Sequence, residues 1–320
     1  VWAPSINPSF ILLLIITFLS SCKKESIQLP WTELSSGVNS TLTDIRFLNT
    51  QEGFIVGGST WFEGIYLSTD NGGNTWTTEV LGEKQLFGLD FNNNGNTYTV
   101  GIDGQLFVQK RDASEWVFYQ TPRFDILRDV AFNSDNTGVL VGGVAFNKGT
   151  IMLVDSSMSV TRVDTLGFQL NAVCYSEKQV VHTVGYGIIL RSNDGGLTWQ
   201  ESETTGDHFT AISFPNANVG YIAGANGTIL KSTDAGLSWK KIRNGDAITV
   251  SDKAFRDIYF LDEDYGYIIG EGGLCWRTED GGDNWIIIDG FPDIDFNAIS
   301  IIDGFGFIVG DEGRIIRFEE

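Results

Sequence analysis

The amino-acid sequence predicts an all-β fold, a seven-bladed β-propeller with four antiparallel strands per blade. Three observations predict it. The first is a phrase that recurs: Ser192-Asn193-Asp194-Gly195-Gly196-Leu197-Thr198-Trp199, Ser232-Thr233-Asp234-Ala235-Gly236-Leu237-Ser238-Trp239 and Thr278-Glu279-Asp280-Gly281-Gly282-Asp283-Asn284-Trp285. Ser68-Thr69-Asp70-Asn71-Gly72-Gly73-Asn74-Thr75-Trp76 reads as the phrase with one extra residue, and a degenerate copy, Asp112-Ala113-Ser114-Glu115, ends at Trp116. These tryptophans stand 40, 83, 40 and 46 residues apart, the 83 covering two periods. The second observation is an apolar residue opening each unit (Ile45, Leu89, Val130, Val173, Ile212, Ile258, Ile299), at steps of 44, 41, 43, 39, 46 and 41 residues. The third is a glycine closing the next strand: Gly57, Gly101, Gly142, Gly185, Gly224, Gly270 and Gly310. A period near forty residues that keeps its hydrophobic phase is an array of one supersecondary unit, and three registers agree on seven units.

The elements follow in chain order. Phe10 to Leu19 is an apolar core of signal-peptide length, too short for a permanent membrane span. Residues 1 to 9 before it carry no Lys or Arg. It runs into Leu19-Ser20-Ser21-Cys22, which resembles a bacterial lipobox, with Cys22 as the lipid-bearing residue. The expected division is a signal peptide over 1–21, a polar tether over 22–30 and the propeller over 31–320. One acyl chain anchors weakly and several anchor firmly; a lipobox cysteine in the resembled class is multiply acylated. The expected location is therefore the bacterial cell envelope, exported and membrane-anchored.

Each unit reads as four short strands. In residues 209–242, Phe209 to Phe214 alternates, Pro215 to Asn218 is turn chemistry, and Val219 to Gly224 is a second strand. Thr228 to Ser232 is the third strand, and Trp239 to Ile242 the fourth. No sustained 3.6-residue apolar period lies between the units, so helices are expected to be nearly absent. Radial repetition of four-stranded sheets leaves only short protected edges. The seventh unit stops after its third strand, Arg314 to Phe318, and Trp31-Thr32-Glu33-Leu34 supplies the missing fourth. An open β-solenoid is the rival, but it needs no complementary ends.

Within the phrase, Ser or Asp side chains bond turn N–H groups and Gly takes positive φ. The Trp buries its ring, and its N–H is expected to find a partner. Ser68, Asp70, Trp76, Ser192, Asp194, Trp199, Ser232, Asp234, Trp239, Asp280 and Trp285 are therefore fold elements. The phrase lacks the spaced ligands and terminal Glu of a calcium loop. It resembles the Asp-box, or BNR repeat. Together with Gly220-Tyr221-Ile222-Ala223-Gly224 and Gly266-Tyr267-Ile268-Ile269-Gly270, it resembles the photosystem II stability/assembly factor family of seven-bladed propellers over about residues 30–320. That resemblance implies a non-enzymatic module that binds another protein, with an arginine-bearing surface. Arg128 and Arg256 occupy equivalent places, whereas other blades carry Thr43, Asn171, Thr210 or Asn297 nearby, so no continuous arginine patch is expected.

The formal net charge of −20 excludes the basic footprint that nucleic-acid binding needs. It fits an exported domain with a solvated acidic shell, expected to be a monomer. Cys174 and Cys275 lie in different units and read as small buried residues rather than a disulfide. No Cys/His spacing suggests zinc, and neither a metal nor a cofactor is expected. His182 lies within a strand and His208 in a connecting loop.

Loops between second and third strands share one propeller face with the blade connections. Two are enlarged, Gly58 to Gly64 and Gly143 to Gly149, and carry Trp61, Phe62 and Phe146. The connection Thr121 to Asp125 adds Arg123 and Phe124, and Arg243 to Lys253 adds another wall. Aromatics on loops are contact anchors. The binding residues expected are Trp61, Phe62, Arg123, Phe124, Arg128, Phe146, Tyr186 and Arg256, with no catalytic residue. The alternative is a glycoside hydrolase of the sialidase type, which needs an arginine cluster and a positioned nucleophile with a carboxylic acid. Arg46, Arg128 and Arg256 with Asp44, Asp129, Asp257 and Tyr186 supply those residue types, although no unit shows an insertion around them. A quinone-dependent dehydrogenase would rest on fold analogy alone, and no dinucleotide glycine fingerprint is present.

Overall fold

Seven antiparallel sheets stand in a ring in the computed structural model, which describes residues 26–203, 206–245 and 253–320. The signal segment and Cys22 lie outside the described residues. Blade one is Thr41–Phe47, Gly53–Ser59, Glu63–Thr69 and Thr77–Gly82, and blade two is Leu86–Phe91, Thr97–Gly101, Gln105–Gln109 and Trp116–Gln120. Blade three is Leu127–Phe132, Gly138–Val144, Lys148–Val154 and Val160–Leu166, and blade four is Leu170–Tyr175, Val181–Gly185, Ile188–Ser192 and Gln200–Glu201. Blade five is Phe209–Ser213, Gly220–Gly224, Ile229–Ser232 and Lys240–Arg243, and blade six is Phe255–Phe260, Gly266–Gly270, Cys275–Thr278 and Ile286–Ile288. Blade seven is Phe296–Ile302, Phe305–Gly310, Ile315–Glu319 and, from the front of the chain, Trp31–Leu34. The helical residues described are three single 3-10 turns, Ile102–Gly104, Glu271–Gly273 and Asp311–Gly313.

The ring closes as the sequence predicts. Trp31 pairs opposite Phe318 and Leu34 opposite Ile315, antiparallel. Arg314 Nη1 donates to both oxygens of Glu33 at 2.7 Å, and Trp31 Nε1 donates to the Gly290 carbonyl at 3.0 Å. One element departs from the expected tether. Ser26–Ile27 lies parallel to Ile286–Ile288 as a fifth strand on blade six. Ile27 packs on the core shared by blades six and seven, and burial of that side chain draws the segment onto the fold.

Second strands close on glycine, and those of blades one, three, five and six also open on it, for a steric reason. A Cβ on Gly53, Gly220 or Gly266 would stand 2.5, 2.4 or 2.6 Å from the ring of Phe47, Phe214 or Phe260. A Cβ on the closing Gly142 or Gly185 would stand 2.0 or 1.9 Å from the carbonyl of Ile126 or Gln169. The second residue of a second strand packs a ring on the next blade. Tyr98 stacks on Phe132 at 3.8 Å, His182 on Phe214 at 4.2 Å and Tyr221 on Phe260 at 3.5 Å. Phe307 of blade seven meets Phe47 of blade one at 4.7 Å.

The recurring phrase is a closed hydrogen-bond circuit. Ser192 Oγ donates to Asp194 Oδ1 at 2.7 Å and accepts from the Gly196 N–H at 2.8 Å. Asp194 accepts from the N–H and hydroxyl of Thr198 at 2.8 and 2.6 Å. Ser232 and Asp234 repeat the circuit, as do Thr278 and Asp280. In blade one the register differs from the sequence expectation. Thr69 accepts from the Gly73 N–H, and Asn71 accepts from the Thr75 N–H. Thr69 and Asn71 therefore hold the places expected of Ser68 and Asp70, and the phrase has no extra residue. Hydrogen bonding selects the residue that faces the turn, and Ser68 is instead paired along the strand with Thr77. The tryptophan N–H groups also depart from expectation. Nε1 of Trp76, Trp199 and Trp285 is buried without a hydrogen-bond partner among the described residues. Ring packing orients these side chains instead, as in the edge-on contacts of Trp76 with Phe47 and Trp285 with Phe260.

Two outcomes are expected in urea titrations. Trp31→Ala lowers stability by about 2–3 kcal/mol, because a partly buried ring that holds the closing strand is lost; an unchanged midpoint would mean that the strand contributes no closure. The second concerns acid. The Thr198 hydroxyl and N–H and the Ser192 hydroxyl hold the Asp194 carboxyl down at about 2. A folded-state pKa below the unfolded one contributes stability above the ordinary carboxylate range, lost as pH falls from about 4 toward 2. Asp194→Ala should lower the urea midpoint at pH 7 and leave a smaller difference from wild type as pH 2 is approached.

Candidate functional site: the channel and its mouth

Turns between second and third strands are bonded to the blade connections, which fixes both on one face. Tyr186 N–H donates to the Gln169 carbonyl at 2.9 Å, Ala225 N–H to His208 at 2.9 Å and Glu271 N–H to Ala254 at 3.0 Å. The enlarged loop of blade three belongs to this face, through Gly143 N–H on Ile126 at 2.8 Å and Gln169 N–H on the Phe146 carbonyl at 3.0 Å. Ala145 and Phe146 both take positive φ, 56° and 63°, a costly conformation for residues with side chains. That turn sets Phe146 at the mouth of the channel, 53% exposed.

Three rings meet there. Phe146 lies 5.2 Å from Tyr186 and 5.8 Å from His208, and Tyr186 lies 5.6 Å from His208. Tyr186 and His208 also form an antiparallel bridge. Burial lowers the His208 pKa, and the Arg128 guanidinium lowers it further, so the imidazole is neutral at pH 7. Phe146 and His208 border a cavity of about 690 Å³, lined also by Arg128, Asn171, Phe255 and Arg256 among others, and Tyr186 stands beside it against their rings.

The expected arginines differ in their commitments. Arg256 bonds Asp295 at 2.8 Å, Glu271 at 3.1 Å and Asn297 at 3.3 Å. Arg123 is held by Asp125 at 2.6 Å. Arg128 has no carboxylate at ion-pair distance among the described residues; its nearest aromatic face is Phe87, at 6.0 Å. Burial lowers its pKa from the ordinary arginine value. Trp61, Phe62 and Phe124 are exposed, Phe62 at 83%, but none lines the mouth cavity. The structure thus brings together Arg128, Phe146, Tyr186 and Arg256, and leaves Trp61 and Phe62 on the loop of blade one and Arg123 and Phe124 on the connection into blade three. His208 joins the site without having been expected there. Its position in a blade connection was the available signal.

Deeper in, a second cavity of about 510 Å³ fills the channel. Arg46 points into it from the inner strand of blade one, 3.8 Å from both Asp44 and Asp90. Each of these carboxylates also latches one blade to the next. Asp44 accepts from Leu89 N–H at 2.9 Å, Asp90 from Phe132 at 2.7 Å, Asp129 from Val173 at 2.8 Å and Asp257 from Ile299 at 2.9 Å. Burial raises all four, Asp129 to about 8 and Asp257 to about 7, and Arg46 pulls each the other way. Cys174 lines the same cavity and Cys275 is buried in blade six; both are free thiols, raised by burial. His182 is packed, fully buried, with Nε2 3.0 Å from Ser176 Oγ. No cluster of three His, Cys, Asp or Glu side chains among the described residues is placed to hold a metal ion.

Arg46→Met tests the electrostatics. Carboxyls whose folded pKa exceeds the unfolded value contribute stability that is complete in acid and lost as pH rises through 7 to 8. Removing the guanidinium raises them further. The variant should therefore lose more stability at pH 8 than at pH 5, read from urea midpoints; equal losses would show that Arg46 does not offset these charges.

The sequence model described as "Photosynthesis system II assembly factor YCF48" matches residues 143–232 and 203–293. Among solved structures, "YCF48 bound to D1 peptide" superposes with a TM-score of 0.72 at 17% identity, covering 93% of this chain and 98% of that one. "YCF48 from Cyanidioschyzon merolae" superposes with a TM-score of 0.69 at 16% identity, over 90% and 98% of the two chains. The WD40 β-propeller domain of Doa1 gives 0.67 at 12% identity, over 93% and 97%. At such identities the superpositions show the shared fold. No curated protein matches the sequence.

Proposed function

We propose that this seven-bladed propeller, which is similar to the photosystem II assembly factor family, is a non-enzymatic module that binds a segment of a partner protein across the channel mouth. The observation that carries this is the pairing of an uncommitted guanidinium, Arg128, with the strained, exposed ring of Phe146 beside Tyr186. A desolvated cation favours a carboxylate or carbonyl oxygen, and the adjoining rings favour an apolar or aromatic side chain. An extended peptide offers both at short spacing. The YCF48 structure with a bound D1 peptide supports peptide binding on such a propeller.

Sialidase chemistry is disfavoured. It needs several free guanidinium groups for one substrate carboxylate. Arg46 is engaged by Asp44 and Asp90, and Arg256 by Asp295 and Glu271, which leaves Arg128. Export and lipid attachment at Cys22 belong to the same proposal. Their support is the apolar core ending in Leu19-Ser20-Ser21-Cys22, which would display the propeller on a membrane of the cell envelope, as a monomer.

Mild crosslinking of the full chain, followed by identification of what it captures, supplies the partner. Arg128→Ala and Phe146→Ala should each weaken binding of that partner about tenfold, or about 1.4 kcal/mol, with unchanged circular dichroism. Trp61→Ala and Phe62→Ala should weaken it less. Full affinity in the Arg128 and Phe146 variants would move the site away from the mouth, and turnover of a fluorogenic sialoside would overturn the non-enzymatic reading.

A further inference from the structure

The outermost strand of each blade ends its sheet, and charged side chains blunt such an edge against pairing with another strand. Most outermost strands here carry them. Thr77–Gly82 has Glu79, Val160–Leu166 has Arg162 and Asp164, Gln200–Glu201 has Glu201, Lys240–Arg243 has Lys240, Lys241 and Arg243, and Trp31–Leu34 has Glu33. Two have none. Ile286–Ile288 is one, and there the chain lays its own Ser26–Ile27 alongside as a fifth strand. Trp116–Gln120 of blade two is the other, and no described strand lies on its outer side.

The backbone of that edge is set to pair. Trp116–Gln120 runs against Gln105–Gln109 without a break in register. One residue on, the Thr121 N–H donates inward to the Gly104 carbonyl at 3.1 Å. Backbone groups of an antiparallel edge strand alternate between the ladder and the open side. Val117 and Tyr119 therefore bond inward, while Trp116, Phe118 and Gln120 present N–H and C=O outward. Those outward groups have no backbone partner among the described residues. Val117 and Phe118 are 46% and 49% exposed and lie on opposite sides of the sheet, and the Phe118 ring rests on Phe107 at 5.2 Å. An added strand would cover apolar surface on both sides.

The surroundings set the charge of the occupant. Asp112 and Glu115 precede the strand. Glu79 stands on the neighbouring blade opposite Tyr66, whose ring meets Trp116 at 4.7 Å. Among the nearby cations, Arg111 is bonded to Glu52 at 2.9 Å and Arg123 to Asp125 at 2.6 Å, which leaves Lys110 to set against three carboxylates. A second copy of the chain would bring its own formal charge of −20 to the contact. The edge therefore selects a basic partner over a copy of itself.

We propose that the outer edge of blade two is a second docking surface, separate from the channel mouth. It takes an extended segment of a partner protein as an added strand, apolar at alternate positions and flanked by lysine or arginine. The probe is a fluorescent, acetylated and amidated peptide of alternating valine and threonine with a lysine at each end, which offers Arg128 no carboxylate. Its anisotropy is titrated with the full chain. Saturable binding below about 1 mM is expected. It should weaken about tenfold in Phe118→Pro, which removes an outward N–H and the ring but spares the inward ladder, and as much in Phe118→Lys, which charges the edge. A peptide with serine for both lysines should bind about threefold more weakly at low salt. Circular dichroism checks the fold of both variants, and Phe118→Lys carries the test if proline disturbs it. Absence of saturable binding, or equal binding by the folded variant, overturns the edge site and leaves the mouth reading untouched. Equal binding of the serine peptide overturns the basic partner. A dimer in analytical ultracentrifugation that is lost in Phe118→Lys would give the edge to a second copy and overturn the proposal.

Discussion

Everything in this propeller depends on the seam between adjacent blades. Apart from the chain's own connections, neighbouring sheets share no backbone ladder among the described residues, so side chains must join them. They do so in two layers. Near the channel, carboxylates of one inner strand accept N–H groups of the next, as Asp44 does from Leu89 and Asp257 from Ile299; a hydrogen bond to a charged group contributes about 1.5–3 kcal/mol. Ser213 takes the same part between blades five and six, accepting from the Phe260 N–H at 3.2 Å. One step outward, rings stack across the seam, as Tyr221 does on Phe260, each such pair worth about 0.5–1.5 kcal/mol beyond its burial. The opening glycines follow from this layer, because the ring needs the volume a side chain would take.

Arg46 connects the seam to the channel. Four latching carboxylates crowd the axis, and a single guanidinium among them moderates a repulsion that would otherwise work against closure. The channel is thus an electrostatic keystone of the fold, while the groups available to a partner sit above it. The division of arginines expresses the same logic. Arg46 and Arg256 are committed to carboxylates, and Arg128 is not.

The fold was legible because it repeats. Seven units give each marker seven chances to be seen, and the unit missing its fourth strand pointed to Trp31–Leu34. What was misread depends on single pairings. The sequence Ser68-Thr69-Asp70-Asn71 offers two registers for the same turn, and only the hydrogen bonds of Thr69 and Asn71 choose between them. Ser26–Ile27 is too short to announce itself as a strand; its partner lies more than 250 residues away in sequence. At the site, Phe146 and Tyr186 could be named from loop position, since topology alone assigns a loop to a face, and Arg128 and Arg256 from the resemblance and their equivalent places in the repeat. Which arginine is already neutralised, and that His208 packs on Phe146, are facts of proximity between blades that no one-dimensional pattern encodes.

The pairing of Trp31 with Phe318 has a kinetic side. A contact between residues so far apart in the chain must pay a large loop-closure entropy before it returns anything, and such topologies fold slowly. Blades one to six can assemble as the polypeptide emerges. The last one waits, its partner strand idle, until residue 318 has left the ribosome.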